Sequence, residues 1–282
     1  MKCFMGRETS HGYVPCGQCI NCRINTGRKW TARILCEWIA HYAETGINGS
    51  FCTLTYNEDS LRKTVEGVPT LKKKELFYWL ETCRRKFGPF RYYAVGEYGD
   101  LSQRPHYHLA LFPRSDRQVS RILESWKAGF TSSAEMAPAR AAYLARYTTK
   151  KLTSDTDERL ERDMEPEFRC SSRDPGLGAP FIPALVRSYR REPYATEIAK
   201  RGDVFRSVRI SGKIYPLDGF MLGKLRKEFG IPLTHTGRID ACPDYLEYFE
   251  VDEAERCFDT AQFYEDQHAQ NQKAKRINRC AI

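Results

Sequence analysis

The sequence predicts an α+β fold: a mostly antiparallel central sheet flanked by helices, with a Cys-rich N-terminal segment and a C-terminal extension. Three observations carry this reading. Short apolar or alternating runs at 51–56, 91–97 and 106–112 read as strands. Segments of helical period lie between and after them. The runs 91–97 and 106–112 are neighbours in the chain with a turn signal at Tyr98-Gly99-Asp100, so they pair as an antiparallel hairpin.

Each element has a local reason. Met1 to Cys16 reads as a loop. A helix follows, with Trp30, Ile34, Trp38 and Tyr42 at i, i+4 spacing, and Gly46 and Gly49 end it. Phe51-Cys-Thr-Leu-Thr-Tyr56 is a buried strand. Leu71 to Phe87 is a helix that starts after Pro69-Thr70 and stops at Gly88-Pro89. Pro113 closes the strand 106–112, and Asp116 to Trp126 is the next helix. Gly129 to Ser132 can form a short strand. Pro138 suits the first position of a helix running to about Leu152. Residues 153–182, charged and rich in Gly, Pro and Ser, read as a linker or surface loop. Val204–Ile210 and Lys213–Tyr215 form a hairpin across Ser211-Gly212, and Asp218 to Phe229 is a helix. The expected organisation is a Cys-rich segment with its helix at 1–48, a core at 49–155 and an accessory region at 156–282.

The chain has 282 residues, 41% of them hydrophobic, enough to bury a core. It shows no signal peptide and no apolar run of bilayer length, so a soluble, cytoplasmic protein without a membrane partner is expected. Its 11 cysteines, several in metal-like spacing, favour a reducing compartment over a disulfide framework. The net charge is +9. Residues 1–150 hold 23 Lys/Arg against 13 Asp/Glu, and residues 151–282 hold 22 against 23. All the excess positive charge is in the first half, which points to a polyanion such as nucleic acid. From Asp240 to Asp266 there are ten acidic residues and one basic, then a basic Lys273-Ala-Lys-Arg276, and no chemistry is read there.

The stretch Arg104-Pro-His106-Tyr-His108-Leu-Ala-Leu-Phe112 carries the most chemistry. In a strand His106 and His108 point to the same face, and two converging imidazoles can hold a metal ion. Glu97 ends the neighbouring strand, and a hairpin brings it opposite the histidines as an oxygen ligand. That mixed N/O set suits Mg2+ or Mn2+ as a Lewis acid on a phosphate, and imidazoles also bind Zn2+. Downstream, Tyr143 and Tyr147 share one helix stripe at i, i+4, with Lys150, or equally Lys151, beside them. A phenol is a weak nucleophile at neutral pH, and a lysine can favour its phenolate or neutralise developing phosphorane charge. A metal pair and two phenols together point to DNA strand cleavage.

These residues carry a resemblance. The Phe51–Tyr56 strand, the His-hydrophobe-His run and the tyrosine helix resemble the three motifs of the HUH endonuclease superfamily, whose sheet is an HUH/RRM-like palm. More narrowly, Gly96-Glu97-Tyr98-Gly99, Arg104-Pro105-His106-Tyr107-His108 and Tyr143-xxx-Tyr147-xx-Lys150-Lys151 resemble the replication initiators of small single-stranded DNA phages, the Microviridae, in the gokushovirus branch. The resemblance covers roughly residues 50–152. It implies rolling-circle replication in the host bacterial cytoplasm. The histidines would bind the metal, one tyrosine would nick a single-stranded origin to form a 5′-phosphotyrosine, and the other would serve the later rejoining. Host replication machinery would extend the free 3′ end.

Cys16, Cys19 and Cys22 form a tight C-x-x-C-x-x-C, and Cys3 can complete four thiolates around a structural Zn2+. Part of an iron–sulfur ligand run and unligated thiols are the alternatives. Cys36, Cys52 and Cys83 read as core residues. Arg104, Arg146, Arg84 and Arg85 are candidate DNA contacts, as are Arg187, Arg190 and Arg191. Two competing functions stay open: a plasmid- or transposon-type HUH nickase, and a non-catalytic single-stranded nucleic-acid-binding protein that stacks bases on Tyr92, Tyr93 and Tyr98. A metal-free phosphoesterase would need a second paired-histidine motif, which His11, His41, His235 and His268 do not supply.

Overall fold

The chain opens on a small hairpin, β1 (Arg7–Thr9) with β2 (Gly12–Val14), where the sequence alone reads as loop. Three-residue strands are too short to show a period. The 26-residue helix α1 (Ile20–Thr45) follows and ends at Gly46, whose positive φ lets its N–H reach Tyr42 O at 2.8 Å. Next come β3 (Ser50–Thr55), α2 (Lys73–Phe87), β4 (Arg91–Tyr98), β5 (Pro105–Phe112), α3 (Asp116–Glu124), β6 (Thr131–Glu135) and α4 (Pro138–Lys150). Beyond them lie β7 (Phe168–Ser171), α5 (Ile182–Tyr189), α6 (Tyr194–Arg201), β8 (Ser207–Ile210), β9 (Lys213–Pro216), α7 (Gly219–Glu228) and β10 (Phe249–Glu250). This computed structural model describes residues 3–9, 12–99, 102–150, 160 and 163–232, with backbone alone at 147–150 and 249–250. His11, Lys151, His235, His268, the acidic run 240–266 as a whole and the basic end lie outside the described residues.

Five strands form the central sheet in the order β6-β3-β5-β4-β7, every neighbouring pair antiparallel. The expected antiparallel sheet with flanking helices is therefore present. Period-two alternation divides it into two faces. Leu54, Tyr107, Leu109 and Leu111 pack against Leu76 and Leu80 of α2 and Ile122 of α3. Tyr93, Val95, Ala110 and Phe112 pack against Ile34 and Trp38 of α1 and Leu144 of α4. Cys36, Cys52 and Cys83 are core residues, as read from the sequence.

The stretch 153–182 departs from the linker reading. Its β7 is an edge strand of the main sheet, with Arg169 opposite Val95 and Phe168 opposite Gly96. A four-residue strand among charged and turn-forming residues leaves no periodic signal. Residues 177–225 then extend the α1 face of the core through Leu177, Leu185, Tyr189, Val208 and Met221. Arg33 ties this region to α1 by donating to Leu177 O at 2.9 Å and pairing with Asp218 at 3.0 Å. Glu37, 1% exposed, ion-pairs with Arg91 of β4 and accepts from Gly178 N–H at 2.7 Å.

α1 also buries His41, whose ring lies 5.7 Å from that of Phe112 and whose Nε2 has no hydrogen-bond partner among the described residues. Burial, reinforced by Arg114 and opposed by Glu44, lowers its pKa to about 4. The fold thus holds the neutral ring, while the unfolded chain takes up a proton near pH 6.5. This contribution is complete above about pH 6.5 and is lost as pH falls towards 4. Equilibrium unfolding across that window should show roughly 1–2 kcal/mol of acid destabilisation, allowing for solvent screening, that His41→Leu removes. An unchanged slope in the variant would assign the acid sensitivity elsewhere.

Candidate active site

β4 and β5 pair with Glu97 opposite His106 and Val95 opposite His108. Glu97, His106 and His108 therefore project from one face at one end of the hairpin, and their ligand atoms all lie within 4.8 Å of one another. Glu97 and His108 are buried, at 2% and 7% exposed, so water does little to offset the carboxylate's charge.

The hydrogen bonds orient both rings. His106 Nδ1 is 3.0 Å from Arg104 O, which can only accept, so Nδ1 carries the proton and Nε2 offers its lone pair. That lone pair faces Glu97 Oε1 at 2.7 Å, and two acceptors so close repel unless a proton or cation joins them. His108 Nε2 lies 3.1 Å from the same oxygen, and its Nδ1 is 2.9 Å from Thr53 Oγ1. Glu97 Oε2 is buried with no hydrogen-bond partner among the described residues. Burial alone would raise the Glu97 carboxyl, but its hydrogen bonds to His106 and His108 and their charge hold it below the usual range. Two imidazole nitrogens, an ionised carboxylate and an orphaned oxygen fit a divalent cation.

Tyr143 reaches this cradle from α4. Its hydroxyl is 3.5 Å from His108 Nε2, and the two rings meet edge to face at 5.4 Å. The residue is 38% exposed, so the hydroxyl sits between the cradle and solvent. Tyr147 lies one helical turn further along α4 and Lys150 at its last position, their side chains outside the description.

Sequence reasoning missed the supports of the site. Thr53 is opposite His108 in the β3–β5 register and holds its Nδ1. Phe51 stacks on His108 at 5.4 Å and meets Tyr143 edge-on at 5.8 Å. Alternation along Phe51-Cys-Thr-Leu-Thr could have placed both on the histidine face, had the strand order been known.

The candidate DNA contacts separate. Arg104 pairs with Glu58 and donates to Tyr56 O at 2.9 Å, pinning the start of β5. Arg146 is exposed on α4. Arg84 and exposed Arg85 stand on α2, across the sheet from the cradle. Arg84 bonds Glu81, Phe90 O and Ser172. Tyr92, Tyr93 and Tyr98 are 3%, 0% and 4% exposed, which removes them as a base-stacking surface.

The second cluster closes the N-terminal hairpin. Sγ atoms lie 3.5 Å apart for Cys3–Cys16, 3.7 Å for Cys3–Cys19 and 4.0 Å for Cys16–Cys22. Four thiolates about 2.3 Å from a tetrahedral ion stand roughly 3.8 Å apart, so this set can hold a metal. Backbone N–H groups of Met5 and Cys16 point at Cys3 Sγ, and those of Gln18 and Cys19 at Cys16 Sγ. N–H groups of Cys22 and Phe4 lower the Cys19 thiol to about 6, whereas burial pushes Cys22 up to about 12.

The comparisons with known proteins agree with this geometry. A family model for replication-associated proteins of the ORF2 type matches residues 49–152, the segment from β3 to just past α4. Replication-associated protein ORF2 of Spiroplasma virus 4 is 28% identical over 199 residues, which is 64% of this chain and 60% of that protein. Replication-associated protein VP4 of Bdellovibrio phage phiMH2K is 25% identical over 60% of this chain and 58% of its own length. Replication-associated protein ORF4 of Chlamydia phage 1 is 24% identical over 62% and 47%. The chain thus spans about half to three fifths of the curated relatives it matches. No solved structure matches. The resemblance to microvirus replication initiators is borne out.

Two measurements check the metal sets. Thr53→Val should weaken Mn2+ binding, read by electron paramagnetic resonance titration, by about 10–100-fold, because it frees the His108 ring. Unchanged affinity would mean the hydroxyl does not orient a ligand. Cys19→Ser should cost about one equivalent of metal in elemental analysis and lower the melting temperature. Unchanged metal content would show that the cysteines are not ligands.

Proposed function

We propose that this protein is a rolling-circle replication initiator that nicks single-stranded origin DNA through a metal-assisted tyrosine and later rejoins the strand. The carrying observation is that the Tyr143 hydroxyl stands 3.5 Å from an imidazole of the Glu97–His106–His108 set. A divalent ion, Mg2+ or Mn2+, held by those three side chains would polarise the scissile phosphate as a Lewis acid. The chain's own residues do the rest. Thr53 and the Arg104 carbonyl fix the imidazoles, and Phe51 packs between His108 and Tyr143 so that the hydroxyl stays at the cradle.

In the proposed reaction Tyr143 Oη attacks the phosphorus, the bond to the 3′ oxygen breaks, and a 5′-phosphotyrosine forms. The departing 3′ hydroxyl is free for host polymerase. Tyr147 is the proposed second nucleophile for the resolving cut, with Lys150 and Lys151 compensating phosphorane charge. Zn2+ in the four-cysteine clasp serves structure. Arg104, Arg146, Arg84 and Arg85 remain proposed backbone contacts, with Arg146 the best placed because it shares α4 with Tyr143. The similarity to phage replication-associated proteins supports a role in DNA replication inside a host cell. No helix among the described residues is long and apolar enough to cross a membrane.

Incubation with a single-stranded oligonucleotide library and Mn2+ should yield a protein–DNA adduct detectable by intact mass. The Tyr143→Phe/Tyr147→Phe double variant should form none. His106→Ala should lose at least about a hundredfold in rate, since the metal supplies several kcal/mol of charge stabilisation. No adduct, or one that survives the double substitution, would sink the nickase reading.

A further inference from the structure

Phe130 is 75% exposed, although its backbone is firmly held. Its carbonyl accepts from Thr55 N–H at 2.9 Å and from Thr55 Oγ1 at 3.2 Å. Asn57 N–H donates to Ala128 O at 2.9 Å, and Trp126 Nε1 donates to Thr55 O at 2.9 Å. Gly129 passes so close to this strand that a Cβ there would lie 2.2 Å from Thr55 O. The ring is thus presented to solvent from a rigid support.

Its position is set by register. Glu97, His106 and Thr55 form one row across β4, β5 and β3. Ser132 of β6 is opposite Thr53, on the cradle face, while Thr131 is opposite the core residue Leu54. One residue earlier, the alternation carries Phe130 onto the cradle face, bonded to Thr55 at the end of that row. Two strand spacings separate it from His106, roughly 10 Å. The floor between them is made of small hydroxyl side chains, Thr53, Thr55 and Ser132, none of them buried. Exposed Lys127 stands three residues before Phe130. The result is a shallow polar trough with the metal cradle at one side and an aromatic ring at the other.

We propose that Phe130 is a base-stacking platform for the substrate strand, seating a nucleobase adjacent to the phosphate at the cradle. The proposal rests on the single-strand nickase reading and adds a recognition residue to it. An unpaired base presents an apolar π-face and an anionic backbone, which match an exposed ring beside a basic, hydroxyl-lined floor. Stacking tolerates every base, so Phe130 contributes affinity and registration more than sequence choice.

The test is equilibrium binding without divalent ion, using a short oligothymidylate bearing one 2-aminopurine and an abasic strand of equal length. The wild type should prefer the base-bearing strand and quench the 2-aminopurine. Phe130→Ala should weaken base-bearing binding by roughly 5- to 100-fold, leave abasic binding unchanged and abolish the quench, whereas Phe130→Tyr and Phe130→Trp keep both. Equal binding of the two strands by the wild type, including no binding of either, overturns the platform, as does an alanine variant indistinguishable from the wild type. The adduct assay with Mn2+ reads the nickase chemistry separately. An adduct without a Phe130 effect defeats the platform alone, and a Phe130 effect without an adduct leaves the platform standing on a non-cleaving protein.

Discussion

Glu97 meets the histidines because β4 and β5 pair in one register, with Glu97 opposite His106 and Tyr93 opposite Ala110. A slip of one residue would turn Glu97, His106 and His108 into the α2–α3 core and expel Tyr107, Leu109 and Leu111 from it. Burial of the alternate side chains on each strand therefore enforces the alignment of the three ligands. The same alternation puts Thr53 beside His108 and Phe51 against Tyr143. The site is a consequence of how the hydrophobic core chooses its faces.

That dependence explains the division of the molecule into a dry half and a wet end. Along the α1 face the sheet is sealed by Trp38, Leu144 and Phe112. Nearer Glu97 it is left to polar groups and to Tyr143 at the mouth. α1 runs against β4, since Trp30 packs on Tyr93 at 5.3 Å while Glu37, seven residues on, pairs with Arg91. Its N-terminus, which carries the cysteine clasp, therefore points towards the same end of the sheet as the cradle. A metal clasp there substitutes for a core that a segment of this size does not build by itself.

The buried Glu97 is costly in isolation, because desolvating a carboxylate outweighs neutral hydrogen bonds. Two imidazoles aimed at one of its oxygens, with the other left orphaned, make sense as an arrangement held ready for a cation. The folding free energy of the core maintains that arrangement. The family match runs from the start of β3 to just past α4, the same segment that supplies every residue of the cradle and Tyr143.

Much of this was legible in the chain. Alternation named the strands 91–97 and 106–112, the spacing of His106 and His108 put them on one face, and adjacency in sequence put Glu97 opposite them, because all three relations are local. The cysteine spacing and Pro138 at the head of α4 were local signals too. What only tertiary structure decided is non-local. β3 lies between β5 and β6, so Thr53 supports His108 and Phe130 joins the row of the site. β7 closes the sheet from within a stretch that reads as linker, and the tyrosines 92, 93 and 98 are claimed by the core. Sequence periodicity states which side of a strand a residue occupies. Which strand lies alongside, and hence what that side faces, follows only from the packing of the whole sheet.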